Sequence, residues 1–393
     1  MTVRLYRDDP WLLEFDARVE NVEVAGDHWE IELDQSAFFP EGGGQPADHG
    51  SLDDIPVLDV REHGERVLHI TTAPLPVNKM VHGRVNSGRR RDFMQQHTGQ
   101  HVISAAFWKT LSLVTISVHM GMEDTTIDLD TSEITREQLQ QVTRLANRII
   151  ADDLPLAAVE VPADELEKFN LRKPPPVEGT VRLVQIGDFD CVGCCGLHLP
   201  STGTIRLALC SGWERMRGQV RTHWQIGDRA VAYLEQRLAI LEDLRELNAT
   251  RDEELADAVR RLRETANDLR GRLAQLERRL ADRLADELLD APAHRIHRIL
   301  ENESADMEKS LIKSLLAAAS HDFALVNVLP DRLSWSLGLP RGGSVDFRDA
   351  RQRYLDPLGA RGGGRPPLWQ GSAPADASPR DLLDALERIL QES

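Results

Sequence analysis

The stretch that decides the reading runs from Arg91 to Trp108, RDFMQQHTGQHVISAAFW, and holds His97 and His101 four positions apart. Helical periodicity predicts that Met94, His97, His101, Ala105 and Trp108 share a face, with the two imidazoles side by side. Further along, Cys194-Cys195-Gly196-Leu197-His198 adds a thiol and a third imidazole, with Cys191 just before it. Neutral imidazole and thiolate are the donors that a borderline-soft tetrahedral dication such as Zn2+ prefers, and donors three or four residues apart meet one ion with little backbone strain. Gly193 and Gly196 suit a tight loop that aims side chains at one point. Either half alone reads equally well as polar residues on a packed face, or as small buried cysteines. Together they predict a zinc site of His97, His101, Cys194 and His198, with Cys191 and Cys195 still open as alternatives to Cys194.

Composition bounds the rest. A chain of 393 residues is long enough for two or three domains with their own cores. No apolar run approaches the length of a membrane span, and Met1 to Asp16 carries acids without a signal-like stretch. Only four cysteines occur and three of them cluster, which suits a reducing compartment and a metal. The expectation is a cytoplasmic protein. The net charge of −17 opposes long-range attraction to phosphate, so any nucleic-acid contact has to come from local basic clusters. Candidates are Arg89 to Arg91, Arg172 with Lys173, and Arg215, Arg217 and Arg221 beside Trp213.

Organisation along the chain predicts an α+β protein. Residues 1–88 read as a small β-barrel-like domain, with strands at Trp29 to Leu33, Val57 to Val60, Val67 to Ile70 and Val81 to Val85. Residues 89–227 read as the α+β metal-binding domain, with strands at Thr115 to Met120 and Thr126 to Leu129 and a helix from Arg136 to Ala151. Residues 228–292 carry a heptad seam, Leu255, Val259, Leu262, Ala266, Leu269, Leu273, Leu276 and Leu280, opened by a capping box of Thr250 and Glu253. A helix from Arg229 to Leu247 precedes it, so the pair fits an antiparallel hairpin within one chain. The uninterrupted seam favours a homodimer instead. Residues 293–393 read as a C-terminal α/β domain, with a helix near Met307 to Ala319, a strand at Phe323 to Leu329, a turn at Gly362 to Gly364 and a last helix from Pro379 to Leu390.

The metal elements, the loop Leu33 to Pro46 (LDQSAFFPEGGGQP), Val118 to Gly121 with Thr126 to Asp130, Leu171 to Pro175, and Arg361 to Pro366 occur in one order along the chain. In this set the chain resembles the free-standing alanyl-tRNA editing proteins, relatives of the editing domain of alanyl-tRNA synthetase, and the resemblance covers nearly its whole length. It departs from the family pattern at Ser36, where threonine is usual, and at Cys195 and Leu197, where glycine and threonine are usual. Ser36 keeps the hydroxyl, whereas Cys195 adds a competing thiol. The resemblance implies a zinc-dependent trans-editing deacylase that hydrolyses the ester of tRNA(Ala) mischarged with serine, or with glycine, and spares the alanyl ester. It puts Ser36 and Gln45 in the catalytic pocket as the candidates for reading the seryl hydroxyl, and Gly42, Gly43, Gly44, Arg172, Lys173, Arg217 and Arg221 among the substrate and tRNA contacts. The last hundred residues resemble the C-terminal domain of alanyl-tRNA synthetases and of a class of phosphoesterases, which implies RNA contact, dimerisation or both.

Physical chemistry favours serine as the cargo. A synthetase pocket rejects one added hydroxyl only ~10²-fold, while a second site built to hydrogen-bond that hydroxyl discriminates by ~10⁴ or more, because alanine leaves its polar groups unpaired. Two rival readings stay open: a structural zinc in a non-catalytic RNA-binding protein, and editing of another mischarged tRNA. Four protein ligands fill a tetrahedron, and that favours the first rival.

Overall fold

The computed structural model describes residues 1–172, 179–290, 292, 294–342 and 345–392. It divides into two compact units, Met1–Asp243 and Leu244–Ser393. Among the described residues, no helix is long and apolar enough to cross a membrane.

In the first unit six strands close a barrel in the order Glu14–Ala25, His28–Leu33, Arg66–Thr71, Ile55–His63, Gly50–Leu52 and Met80–Val85. Alternation sets the inside: Phe15, Ala17 and Val19 are buried while Glu14, Asp16 and Arg18 face out, and Ile31, Leu33, Leu52, Val60 and Val67 complete the core. All four strands expected over this region fall within the barrel.

The helix that carries the histidine pair spans Ser87–Leu111. Asn86 Oδ1 caps it by accepting from Arg89 N at 3.0 Å, and Ser112 ends it in the left-handed conformation. Every residue from Phe93 to Phe107 is buried, so the helix lies inside the unit rather than on its surface. Trp108 departs from the expected buried face: the helix leaves the core in its last turn, and this indole is 41% exposed. Gly99 allows close packing, since a Cβ there would stand 2.4 Å from Ile226 Cγ2. Ile226 ends a strand of the four-stranded antiparallel sheet ordered Ala208–Met216, Gln219–Ile226, Thr125–Leu129 and Thr115–Met120. The helix Arg136–Ala151 has the predicted limits and opens with a capping box of Thr135 and Gln138. A second sheet, Leu156–Pro162, Thr180–Ile186 and Asp190–Gly193, delivers the chain to Cys194.

The second unit is built on a five-stranded sheet ordered Arg295–Glu301, Asp322–Val328, Arg332–Gly338, Leu368–Pro374 and Arg361–Arg365. Its first pair is parallel and the others antiparallel. The helix Pro379–Gln391 covers a core containing Trp335, Leu337 and Trp369. Gly362 to Gly364 do not form the expected turn. They lie in the edge strand Arg361–Arg365, where a Cβ on Gly362 or Gly364 would come within 2.3 Å of a backbone oxygen of the neighbouring strand. The expected Thr250 and Glu253 capping box is also corrected: the helix Asp252–Leu289 begins after Arg251, and Thr250 Oγ1 donates instead to Glu254 Oε2 at 3.1 Å. Along this helix Ala281 and Ala285 pack against the helix Ala305–Ala318. Along the same helix Val259, Leu262, Leu269, Leu273, Leu276 and Leu280 are exposed.

Candidate metal centre

The buried helix projects His97 and His101 inward, and the loop after Gly193 brings Cys194 and His198 to meet them. One donor atom from each residue lies within 4.8 Å of every other. Cys194 Sγ stands 3.2 Å from His97 Nε2 and 3.4 Å from His198 Nε2, and the three imidazole centroids are 4.4 to 5.0 Å apart. Donors of a tetrahedral zinc ion stand roughly 3.3–3.8 Å from one another. Among the described residues the cluster takes Cys194 and neither Cys191 nor Cys195; Cys191 is buried in the preceding strand and Cys195 is exposed.

The local chemistry fits a dication. Burial, and then the nearby Arg182 charge, hold the His97 imidazole down at about 3. Burial also pushes His101 and His198 well below their ordinary value, with neighbouring histidines adding to it. All three rings are therefore neutral at physiological pH, the form that ligates. Both ring nitrogens of His101 are buried without a hydrogen-bond partner, a costly state that a bound ion relieves. Burial raises the Cys194 thiol to about 11, so metal binding there releases a proton.

Several neighbours orient these donors. Gln45 Oε1 accepts from His97 Nδ1 at 2.8 Å and from Leu197 N at 2.9 Å, so one amide oxygen joins helix to loop and leaves His97 Nε2 for the metal. Thr98 Oγ1 accepts from Leu199 N at 3.0 Å and lies 3.3 Å from His198 Nδ1. Arg182 Nη1 donates to the carbonyls of Cys194 and Gly196 at 2.7 and 3.0 Å and pins the loop. Gly196 is needed for close approach, because a Cβ would stand 2.0 Å from His97 Cε1.

His97, His101 and Cys194 line a cleft of about 780 Å³ together with Gln100, Ser117, Thr180 and Arg182. Gly43 and Gly44 stand at its side. Gly42 and Gln45 exchange both backbone hydrogen bonds, and the two glycines between them have φ of +60° and +82°, the two-residue turn that asks for positive φ twice.

The remaining predicted residues are placed elsewhere. Ser36 is fully buried and outside the cleft lining. His69 Nδ1 is held by Ile31 O at 3.0 Å, so Ser36 Oγ donates to His69 Nε2 at 2.7 Å and accepts from Phe38 N. Arg172 pairs with Asp190 at 3.2 Å, and Arg221 grips Asp128 through two bonds of 2.7 and 2.9 Å. Arg217 is exposed at the tip between two strands, and Lys173 lies outside the described residues. Arg90 is buried in a pair with Asp48 at 2.6 Å. Sequence reasoning missed Arg182, Thr98, Gln100, Ser117 and Thr180; the position of Arg182 opposite Cys194 across paired strands carries no mark in the sequence.

Residues 181–221 match the Threonyl and Alanyl tRNA synthetase second additional domain, a span that holds Arg182, Cys194 and His198. The chain is similar to the alanyl-tRNA editing protein Aarsd1 of Mus musculus, 30% identical over 370 residues that cover 93% of this chain and 89% of that protein. The Bos taurus protein of the same name is 32% identical over 67% of this chain and 60% of its own length. An alanine–tRNA ligase of Pyrobaculum neutrophilum is 32% identical over 99% of this chain, which spans 44% of the ligase.

Proposed function

The chain belongs to the alanyl-tRNA editing proteins, and from that premise we propose that it is a hydrolase that deacylates tRNA(Ala) mischarged with serine, at a zinc site of His97, His101, Cys194 and His198. The observation that carries the metal-dependent reading is the convergence of three neutral imidazoles and one thiol on the wall of an open cleft, with His101 unpartnered. When bound, zinc supplies Lewis acidity toward an ester carbonyl and lowers the pKa of a water to ~7.

The chain's own residues do the rest. Gln45 and Thr98 hold the tautomers of His97 and His198, and Arg182 fixes the loop, so the donors are oriented before substrate arrives. The Gly43-Gly44 turn brings bare backbone to the cleft wall and leaves room for the terminal ribose. Gln100, Ser117 and Thr180 offer polar groups for the seryl hydroxyl. Ser36 acts one step back, by shaping through Phe38 N the loop that carries Gln45. Arg217 and Lys173 remain candidates for the phosphate backbone, while Arg172 ties its loop to the strand that holds Asp190 and Arg221 ties its strand to the one that holds Asp128. The exposed heptad seam is the homodimer surface, and the cytoplasm is where charged tRNA is met.

The test is deacylation of Ser-tRNA(Ala), Ala-tRNA(Ala) and Ser-tRNA(Ser) by zinc-loaded protein, beside a folded His97→Ala/Cys194→Ala variant. Turnover of Ser-tRNA(Ala) alone, lost in the variant, supports the proposal. The four-donor set also favours a second reading, a purely structural zinc. That reading requires metal removal to melt the first unit and no substrate to turn over.

A further inference from the structure

Trp213 and the arginines around it were singled out by sequence, and the metal cleft takes none of them. In the first unit a separate cleft of about 450 Å³ lies between the helix Arg136–Ala151 and the strand Ala208–Met216, lined by Arg136, Leu139, Arg144, Cys210, Gly212 and Trp213 among others. It shares no residue with the metal cleft. Its volume is within the range of ligand pockets.

Arg136 and Arg144 lie eight residues apart, two helical turns, and so line the same wall. Both are exposed, and among the described residues neither guanidinium has a hydrogen-bond or ion-pair partner. Of two acids in the region, Glu133 pairs with Arg215 at 3.3 Å, and Glu137 is hydrogen-bonded at the start of its own helix while also feeling the Arg136 charge. Among the described residues no carboxylate lines the cleft. Opposite the arginines, the strand bulges between Cys210 and Gly212, which re-aims the side chains that follow. Trp213 comes next and is 40% exposed, while the Cβ position of Gly212 has no atom within 4 Å, so the wall is open backbone there.

Two guanidiniums without an ion-pair partner among the described residues line this cleft together with an indole, in a chain of net charge −17. A polyanion approaching this protein is repelled on average, so it has to be held at such a place. Resting on the reading that the substrate is a tRNA, we infer that this groove binds one unpaired nucleotide of that RNA outside the metal cleft. The indole stacks on the base, and Arg136 and Arg144 meet the flanking phosphates. Stacking on an aromatic side chain is tolerant of base identity. The groove therefore adds affinity rather than choice of sequence.

The experiment measures binding of uncharged tRNA(Ala) transcript to the full-length protein as a function of salt, for the wild type and four variants checked for folding. Trp213→Ala is expected to weaken binding roughly 10-fold or more, and Trp213→Phe to restore most of it. Arg136→Gln/Arg144→Gln is expected to lower the slope of log affinity against log salt by about 1 to 2. Arg148→Gln, on the same helix outside the lining, is the control and leaves binding unchanged. On Ser-tRNA(Ala) the groove variants raise KM and keep kcat. Unchanged tRNA binding in folded groove variants, a loss no larger than that of the control, or absence of tRNA binding by the wild type overturns the inference. Uncharged tRNA carries no ester, so groove-dependent binding without turnover would sink the editing reading alone.

Discussion

Replacing Gly196 by alanine tests the metal centre without touching a donor atom. The new methyl would sit 2.0 Å from His97 Cε1, 2.3 Å from His97 Nδ1 and 3.0 Å from Gln45 Oε1. Carbon contacts settle near 3.5–4.0 Å, so either the ring or the loop has to retreat by roughly 1.5 Å. Metal–donor distances hold to about 0.2 Å, several times less than that displacement. Loss of an outer partner such as Gln45 alone lowers metal affinity by about 10- to 100-fold. The combined effect on zinc affinity is therefore on the order of 100-fold or more, about 2.7 kcal/mol. Competition against a chromophoric chelator near neutral pH measures it, with circular dichroism to confirm the fold. Gly271→Ala is the matched control: no atom lies within 4 Å of its Cβ, and it is in the middle of an exposed helix. It should leave zinc affinity unchanged and add about 1 kcal/mol of stability. A folded Gly196→Ala protein that keeps wild-type zinc affinity within about threefold would refute the reasoning, because donors so tightly enclosed cannot absorb the methyl.

Other expectations concern stability and assembly. Burial lowers His69 from 6.5 to about 4 in the folded chain, so below pH 6.5 the unfolded state takes up a proton that the folded state refuses. This contribution is present above pH 6.5 and is lost as pH falls toward 4, about 3 kcal/mol in all. Denaturant titrations across that window should show a shallower fall for His69→Gln than for the wild type. Asp48→Ala strands Arg90, which is fully buried and donates three of its hydrogen bonds to that carboxylate; a loss of about 3–5 kcal/mol in urea unfolding is expected. Leu269→Glu/Leu276→Glu changes residues 58% and 60% exposed in one chain, so secondary structure should persist while sedimentation shifts from dimer to monomer. A species of the same mass in both proteins removes the seam from the dimer proposal.

The donors were legible because their chemistry is narrow: few roles call for two histidines at helical spacing and a Cys-X-X-X-His loop, and the structure brings all four together. The barrel strands were legible through alternation, as in Phe15, Ala17 and Val19. What failed had a physical reason in each case. Arg90 looks like a surface charge until Asp48 is known to lie beside it, a pairing across 42 residues that no local pattern encodes. The run Gly362 to Gly364 suggests a turn because glycine turns freely, yet the fold uses the missing side chains for close strand contact. Ser36 sits in the loop that resembles a substrate pocket, but an inward-facing histidine on another strand takes its hydroxyl. Gln45 reads from the sequence as a candidate for the seryl hydroxyl; the engagement of its oxygen by His97 and Leu197 depends on three chain segments meeting, which only tertiary structure reveals.

That meeting point has a consequence for biosynthesis. The oxygen of Gln45 receives one hydrogen from His97 and another from Leu197, so residues from the glycine-rich loop, the helix and the loop after the second sheet become satisfied together. At translation rates of about 5–20 residues per second, the histidine pair is synthesised roughly 5–20 s before Cys194 and His198. During that interval the stretch Phe93 to Phe107 of this helix, every residue of which is destined for burial, has no partner loop to receive its polar groups. The emerging chain thus carries two of the four candidate donors before the segment that holds the other two has arrived.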